Sequence, residues 1–181
     1  MSSSENALLI IDMQEGLFRG PASPHSADTV LSNICLLIAK ARQAQVPIFF
    51  VRHTGPDDSP FSEDSPLTKL IPELDVSVER DIVLIKKYPN CFRDTGLQAQ
   101  LMQRGVKQLV IAGMKTEFCV DTTCRAASEQ GFRAVLISDA HTTMDNEHLS
   151  ANDIISHHNR TLAGPFVTLS TAADWTFNSD K

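Results

Sequence analysis

The residues able to do chemistry in this chain are a thiol, a carboxylate, a lysine pair and two histidines, each close behind a short apolar run. Cys119 lies in Q-L-V-I-A-G-M-K-T-E-F-C-V-D-T-T-C-R, residues 108–125. Leu109 to Ala112 reads as a strand buried on both faces, and Gly113 breaks it. Thr116 reads as the N-cap of the following helix, which puts Cys119 in its first turn. Unpaired backbone N–H groups and the helix dipole favour negative charge there, so this spacing predicts a lowered thiol pKa and a nucleophile. The same spacing suits a small apolar residue packed under a sheet, a common place for a free cysteine.

Asp12 ends the run Ala7 to Ile11. Near a thiol, a carboxylate can take its proton and later return it to a leaving amine; by itself it can equally cap a turn. Lys86 and Lys87 end the run Ile82 to Ile85. Either ammonium would hold the two negative groups together and stabilise a developing oxyanion, unless the pair is only a solvated strand end. His53 and His141 also stand behind apolar runs, where they face substrate, bind a metal or serve as satisfied polar residues. Phe18, Phe61 and Phe92 are candidate pocket walls or core. His157-His158 has no carboxylate at ligand spacing on its own helix and reads as structural.

Positioning these groups requires a sheet. Six short apolar runs, the others being Val46 to Val51, Ala134 to Ile137 and Phe166 to Leu169, alternate with helical patterns such as Val30, Ile34, Leu37, Ile38 and Ala41. That order predicts an α/β fold: three layers, α/β/α, around a six-stranded, mostly parallel sheet of Rossmann-like kind. Such sheets bind ligands outside the carboxyl ends of their strands, which is where Asp12, His53, Lys86, Cys119 and His141 all fall. Thr95-Gly-Leu-Gln98 has capping-box spacing ahead of a short helix. The long loop from Thr54 to Asp75, with a turn in S-P-L-T-K-L-I-P, is expected to shape the pocket.

At 181 residues the chain is expected to form one domain, 1–181, with a sizeable core. A hydrophobic content of 42% with 21% charged residues suits a globular protein. A net charge of -6, with no more than two adjacent basic residues, argues against nucleic acid as a partner. The first residues lack a basic segment and their apolar run is short, so neither a signal peptide nor a membrane span is expected. Cysteines 35, 91, 119 and 124 form no C-x-x-C pair; reduced thiols and a cytoplasmic location follow as expectations.

Taken together, A-L-L-I-I-D-M-Q, V-L-I-K-K-Y-P-N-C-F-R-D-T-G-L, G-M-K-T-E-F-C-V-D-T-T and S-D-A-H resemble the isochorismatase-like cysteine hydrolases, the superfamily of nicotinamidases and N-carbamoylsarcosine amidases. The resemblance runs along nearly the whole chain. It implies an Asp–Lys–Cys triad of Asp12, a lysine and Cys119. The family lysine stands six residues before a Phe, and counting back from Phe92 selects Lys86 over Lys87. It further implies a cis peptide at Met114-Lys115, which would aim the Lys115 N–H, with that of Cys119, at the oxyanion. A homo-oligomer and a small-molecule substrate are implied as well.

Two departures bear on the substrate. Nicotinamidases carry D-x-H after the second strand as a metal site, whereas this chain has Val51-Arg52-His53; neither a metal nor any other cofactor is expected, nor nicotinamide as substrate. Isochorismatases proper cleave a vinyl ether without a cysteine nucleophile, so Cys119 argues for an amide, carbamoyl or related C–N bond. The alternatives are a vinyl-ether hydrolase using Asp12 as acid and a catalytically idle binding or scaffold protein. Asn90 also stands where the lysine motif often has Ser.

Overall fold

The computed structural model describes residues 5–177. Its strands are β1 (Asn6–Ile11), β2 (Ile48–His53), β3 (Ile82–Lys86), β4 (Gln108–Met114), β5 (Arg133–Thr142) and β6 (Thr168–Ser170). Its α-helices are α1 (Glu15–Phe18), α2 (Ala27–Gln43), α3 (Leu97–Gln103), α4 (Asp121–Glu129) and α5 (Ala151–Leu162). The strands form one sheet in the order β3-β2-β1-β4-β5-β6, with every pairing parallel. The expected α/β fold is thus observed, and the sheet is wholly parallel.

An unbroken apolar run makes sense in β1 because both of its faces are covered. Leu8 and Ile10 face one apolar layer with Val30, Ile34, Leu37, Ile38 and Ala41 of α2. Ala7, Leu9 and Ile11 face the other, with Leu97 and Leu101 of α3 and Cys124 and Ala127 of α4. The small side chains on α4 let it lie close against the sheet. No helix among the described residues is long and apolar enough to cross a membrane.

Chain order reverses between β1 and β4, which are neighbours although two strands and three α-helices separate them in sequence. In sheets of this topology ligands bind outside the carboxyl ends of the strands at such a switch point, beside the residues that follow each strand. Gly113 makes the close approach there possible. Its φ is 122°, and a Cβ at that position would lie 2.1 Å from the Ile11 carbonyl oxygen.

Local details differ from the sequence expectations. β5 runs to Thr142, five residues past the expected end, because it bulges between Leu136 and His141 and then pairs again with Gly113 and Met114. β6 starts two residues late, at Thr168. Ahead of α3, Gly96 takes the cap position in a left-handed conformation, and the Thr95 hydroxyl accepts the Leu97 N–H, a turn in place of the expected capping box. The long loop holds two short 3-10 turns, Pro66–Thr68 and Pro72–Leu74.

Candidate active site

β1 ends at Asp12, whose backbone turns into the left-handed region at φ 53°. An aspartate tolerates that conformation better than most residues. Lys86, the last residue of β3, reaches over β2 to meet it, with Nζ 2.7 Å from Asp12 Oδ2. Both side chains are buried, at 0% and 1% exposure. The same ammonium donates to Cys119 Sγ at 3.2 Å. The three residues named from the sequence therefore meet in one contact, although 107 positions separate Asp12 from Cys119. Lys87, by contrast, is exposed.

Cys119 is presented differently from the expectation. Thr116–Val120 is a π-helical turn that runs into α4, and it follows a cis peptide at Met114-Lys115. Thr116 does not cap. It is hydrogen-bonded to His141 Nδ1 at 2.8 Å, and His141 Nε2 lies 2.9 Å from Asn159 Oδ1. Asn159 donates its amide to the Ser138 carbonyl, so its oxygen faces His141, Nε2 donates, and Nδ1 accepts the Thr116 hydroxyl. A second tie joins the Thr143 hydroxyl to Glu117. The nucleophile turn is thereby strapped to β5 and α5.

The electrostatics also correct a sequence expectation. The Cys119 thiol is pushed up to about 12, first by burial and then by the Asp12 carboxylate, with Lys86 opposing. Desolvation and a neighbouring anion outweigh the end of a short helix. Burial likewise raises Asp12, against the pull of Lys86. For Lys86, burial favours the neutral amine, but the Asp12 carboxylate opposes it, and the net effect is a raised pKa that keeps it an ammonium. The resting site is thus a neutral thiol beside an ion pair. One carboxylate oxygen, Asp12 Oδ1, is buried with no hydrogen-bond partner among the described residues.

Among the candidate pocket residues, His53 places Nδ1 3.3 Å from Lys86 Nζ. Phe61 comes from the long loop and lies against Gly16 of α1. The other three are given packing roles. Phe18 is 7% exposed within the α2-side core. Phe92 stacks on Phe132 at the amino end of β5, with ring centres 5.9 Å apart. His141 has both nitrogens engaged, and burial depresses it to about 4. His158 does find a carboxylate, Asp121 on α4, at 3.1 Å. Sequence reasoning missed that partner because it sits on another helix.

Sequence reasoning also missed Gln14. Fully buried two residues beyond Asp12, it accepts the His53 N–H at 2.7 Å and donates to the His53 carbonyl and the Thr68 carbonyl, each at 2.9 Å. Its one signal was its place in D-M-Q, next to the carboxylate. Among the described residues, no group of three His, Cys, Asp or Glu side chains could hold a metal ion.

Comparison with known proteins places this site in a family. The model of the isochorismatase domain matches residues 6–172. The chain belongs to the isochorismatase family. It is 36% identical over 177 residues to a streptothricin hydrolase of Streptomyces noursei, covering 96% of this chain and 60% of that protein. It is 32% identical over 154 residues to nicotinamidase 3 of Arabidopsis thaliana, covering 78% and 75% of the two chains. A crystal structure of an isochorismatase family protein superimposes with a TM-score of 0.86 at 35% identity, covering 93% of this chain and 99% of that one. The chain is accordingly a hydrolase of the isochorismatase-like superfamily, which has amidase-type relatives.

Proposed function

We propose that the chain is a metal-independent cysteine amidohydrolase that cleaves a small amide, carbamoyl or related C–N bond through a thioester. One observation carries this reading: Lys86 binds both Asp12 Oδ2 and Cys119 Sγ, which brings the Asp12 carboxylate within hydrogen-bonding reach of the thiol. A base must lie within reach of the proton it takes. The names of two relatives, a nicotinamidase and a streptothricin hydrolase, are consistent with this reading, the first naming an amidase and the second a hydrolase.

In this reading Cys119 loses its proton as it attacks, since the resting thiol is neutral. Sγ bonds to the carbonyl carbon and the proton passes to Asp12. The carbonyl electrons move onto oxygen, where Lys86 and the backbone N–H groups of Lys115 and Cys119 stabilise the charge. Collapse breaks the C–N bond as Asp12 hands its proton to the nitrogen, leaving an amine and a Cys119 thioester. Water, deprotonated by Asp12, then adds to the thioester. The C–S bond breaks, the acid departs, and the thiol regains its proton from Asp12.

The test is a panel of small amides and carbamoyl compounds assayed for ammonia release with wild type and Cys119→Ala. Acid-quenched samples are analysed in parallel by peptide mass spectrometry. Turnover that requires Cys119, with an acyl adduct on its peptide, is the expected result. Near-normal ammonia release by Cys119→Ala would eliminate the covalent route.

A further inference from the structure

The mechanism above gives His53 no task, yet its place is closely defined. It is the last residue of β2 and pairs directly with Lys86 in the β2–β3 ladder. Because β2 lies between β3 and β1, the Lys86 side chain has to pass His53 to reach Asp12. Its backbone is clipped on both sides, N–H and C=O, by the buried Gln14 side chain. The imidazole is therefore held beside the ammonium by the residue two positions beyond the catalytic carboxylate.

An ammonium has three N–H donors and no acceptor, and in a dry site each hydrogen left without a partner is costly. Lys86 has three neighbours within reach: Asp12 Oδ2 at 2.7 Å, Cys119 Sγ at 3.2 Å and His53 Nδ1 at 3.3 Å. Since Nζ only donates, Nδ1 must accept. An imidazole that accepts at Nδ1 is neutral and carries its hydrogen on Nε2. Burial first, and then Lys86, hold His53 below its ordinary pKa, in agreement with a neutral ring.

We infer that His53 is a positioning residue for the triad: Nδ1 takes the third hydrogen of the Lys86 ammonium, which keeps the other two on Asp12 and Cys119. This rests on the amidohydrolase reading only for its effect on turnover. Without the acceptor, the ammonium can rotate one of its other hydrogens away from the carboxylate or the thiol. The consequence falls on kcat, since the geometry of the reacting groups is lost while the rest of the pocket is unchanged.

The experiment has two arms. In the wild-type protein labelled with 15N-histidine, NMR at neutral pH should show His53 with Nδ1 unprotonated and Nε2 protonated. An Nδ1–H tautomer or a doubly protonated ring would overturn the inference. This arm needs neither a variant nor a substrate, so it stands or falls apart from the amidohydrolase reading. In the kinetic arm, on whichever panel amide gives Cys119-dependent ammonia release, His53→Leu should lower kcat at least ~10-fold, as expected for losing a hydrogen bond to a charged group. His53→Asn, whose Oδ1 can stand where Nδ1 stood, should stay within about threefold of wild type. A Leu variant with wild-type kcat would sink the idea, and so would an Asn variant that falls as far as the Leu variant.

Discussion

Asp12 shares the Lys86 ammonium with Cys119, and Asp121 follows the nucleophile turn in the chain; each is tied to a cation, yet their environments leave them with different chemistry. Asp121, at the start of α4, has both oxygens committed: Oδ2 accepts from Arg125 Nε at 2.9 Å, and Oδ1 from Arg125 Nη2 at 3.0 Å and His158 Nδ1 at 3.1 Å. Burial pushes its pKa up, but those hydrogen bonds from Arg125 and His158 prevail and lower it. At Asp12 burial prevails over the Lys86 ion pair and the Cys119 hydrogen bond together and raises the pKa. A carboxylate with both oxygens engaged holds a helix in place. One that is dry and held between a single ammonium and a thiol can carry a proton.

The contrast is sharpest in stability when the cation is removed. Lys86→Met leaves Asp12 uncompensated in a dry site and should cost about 3–5 kcal/mol in urea unfolding at neutral pH. Arg125→Met should cost about 1 kcal/mol or less, because Arg125 is more than a third exposed and solvent screens the pair. Equal costs for the two would break the comparison.

Catalysis should separate the aspartates next. Asp12→Asn and Cys119→Ala should each lower kcat by at least ~10²-fold, and the double variant should be little worse than Cys119→Ala, since groups acting as a unit are non-additive. Asp121→Asn should stay within about threefold of wild type. A loss at Asp121 as deep as that at Asp12 would place the second cluster in the reaction.

A smaller effect is expected in the pH dependence of stability, where the signs oppose. The folded pKa of Asp12 is raised, so its contribution is present below the ordinary value of 3.8 and is lost as pH rises through the folded value. That of Asp121 is lowered, so its contribution is present above 3.8 and is lost as pH falls through the folded value. Relative to wild type, Asp12→Asn should therefore gain stability as pH rises from about 3 to about 8, and Asp121→Asn should gain as it falls. Chemical unfolding across that range decides this, and slopes of one sign for both would contradict it.

The smallest expected effect is none. Chelation should leave turnover unchanged, because Val51 replaces the carboxylate of D-x-H and His53 Nδ1 is engaged with Lys86. A chelator-sensitive rate restored by zinc would show that the rim of β2 holds a metal after all.

Much of this arrangement was legible in the residues, for a physical reason. An all-parallel sheet buries both faces, so its strands appear as unbroken apolar runs, and the residue that ends each run is placed at a strand end whatever the loops do. Ala7 to Ile11 thus put Asp12 on the rim, and Ile82 to Ile85 did the same for Lys86. Where local chemistry competed with tertiary contacts, the sequence misled. Thr116 carries a good capping side chain, but the bulge in β5 brings His141 beside it and the hydroxyl turns there. Phe92 anchored the count that selected Lys86, yet its own ring packs on Phe132.

Pattern and spacing alone determined the fold class and the ends of the strands, because hydrophobic periodicity and chain order are properties of the linear chain. The family motifs then chose Lys86 over Lys87. Protonation was decided only in three dimensions. A helix-end thiol should titrate low, but burial and Asp12 push Cys119 up to about 12. An aspartate paired with lysine should titrate low as well, but burial raises Asp12. Solvation depends on everything packed around a group, and here that means side chains from β1, β2, β3 and the turn after β4, which meet only once the sheet has formed.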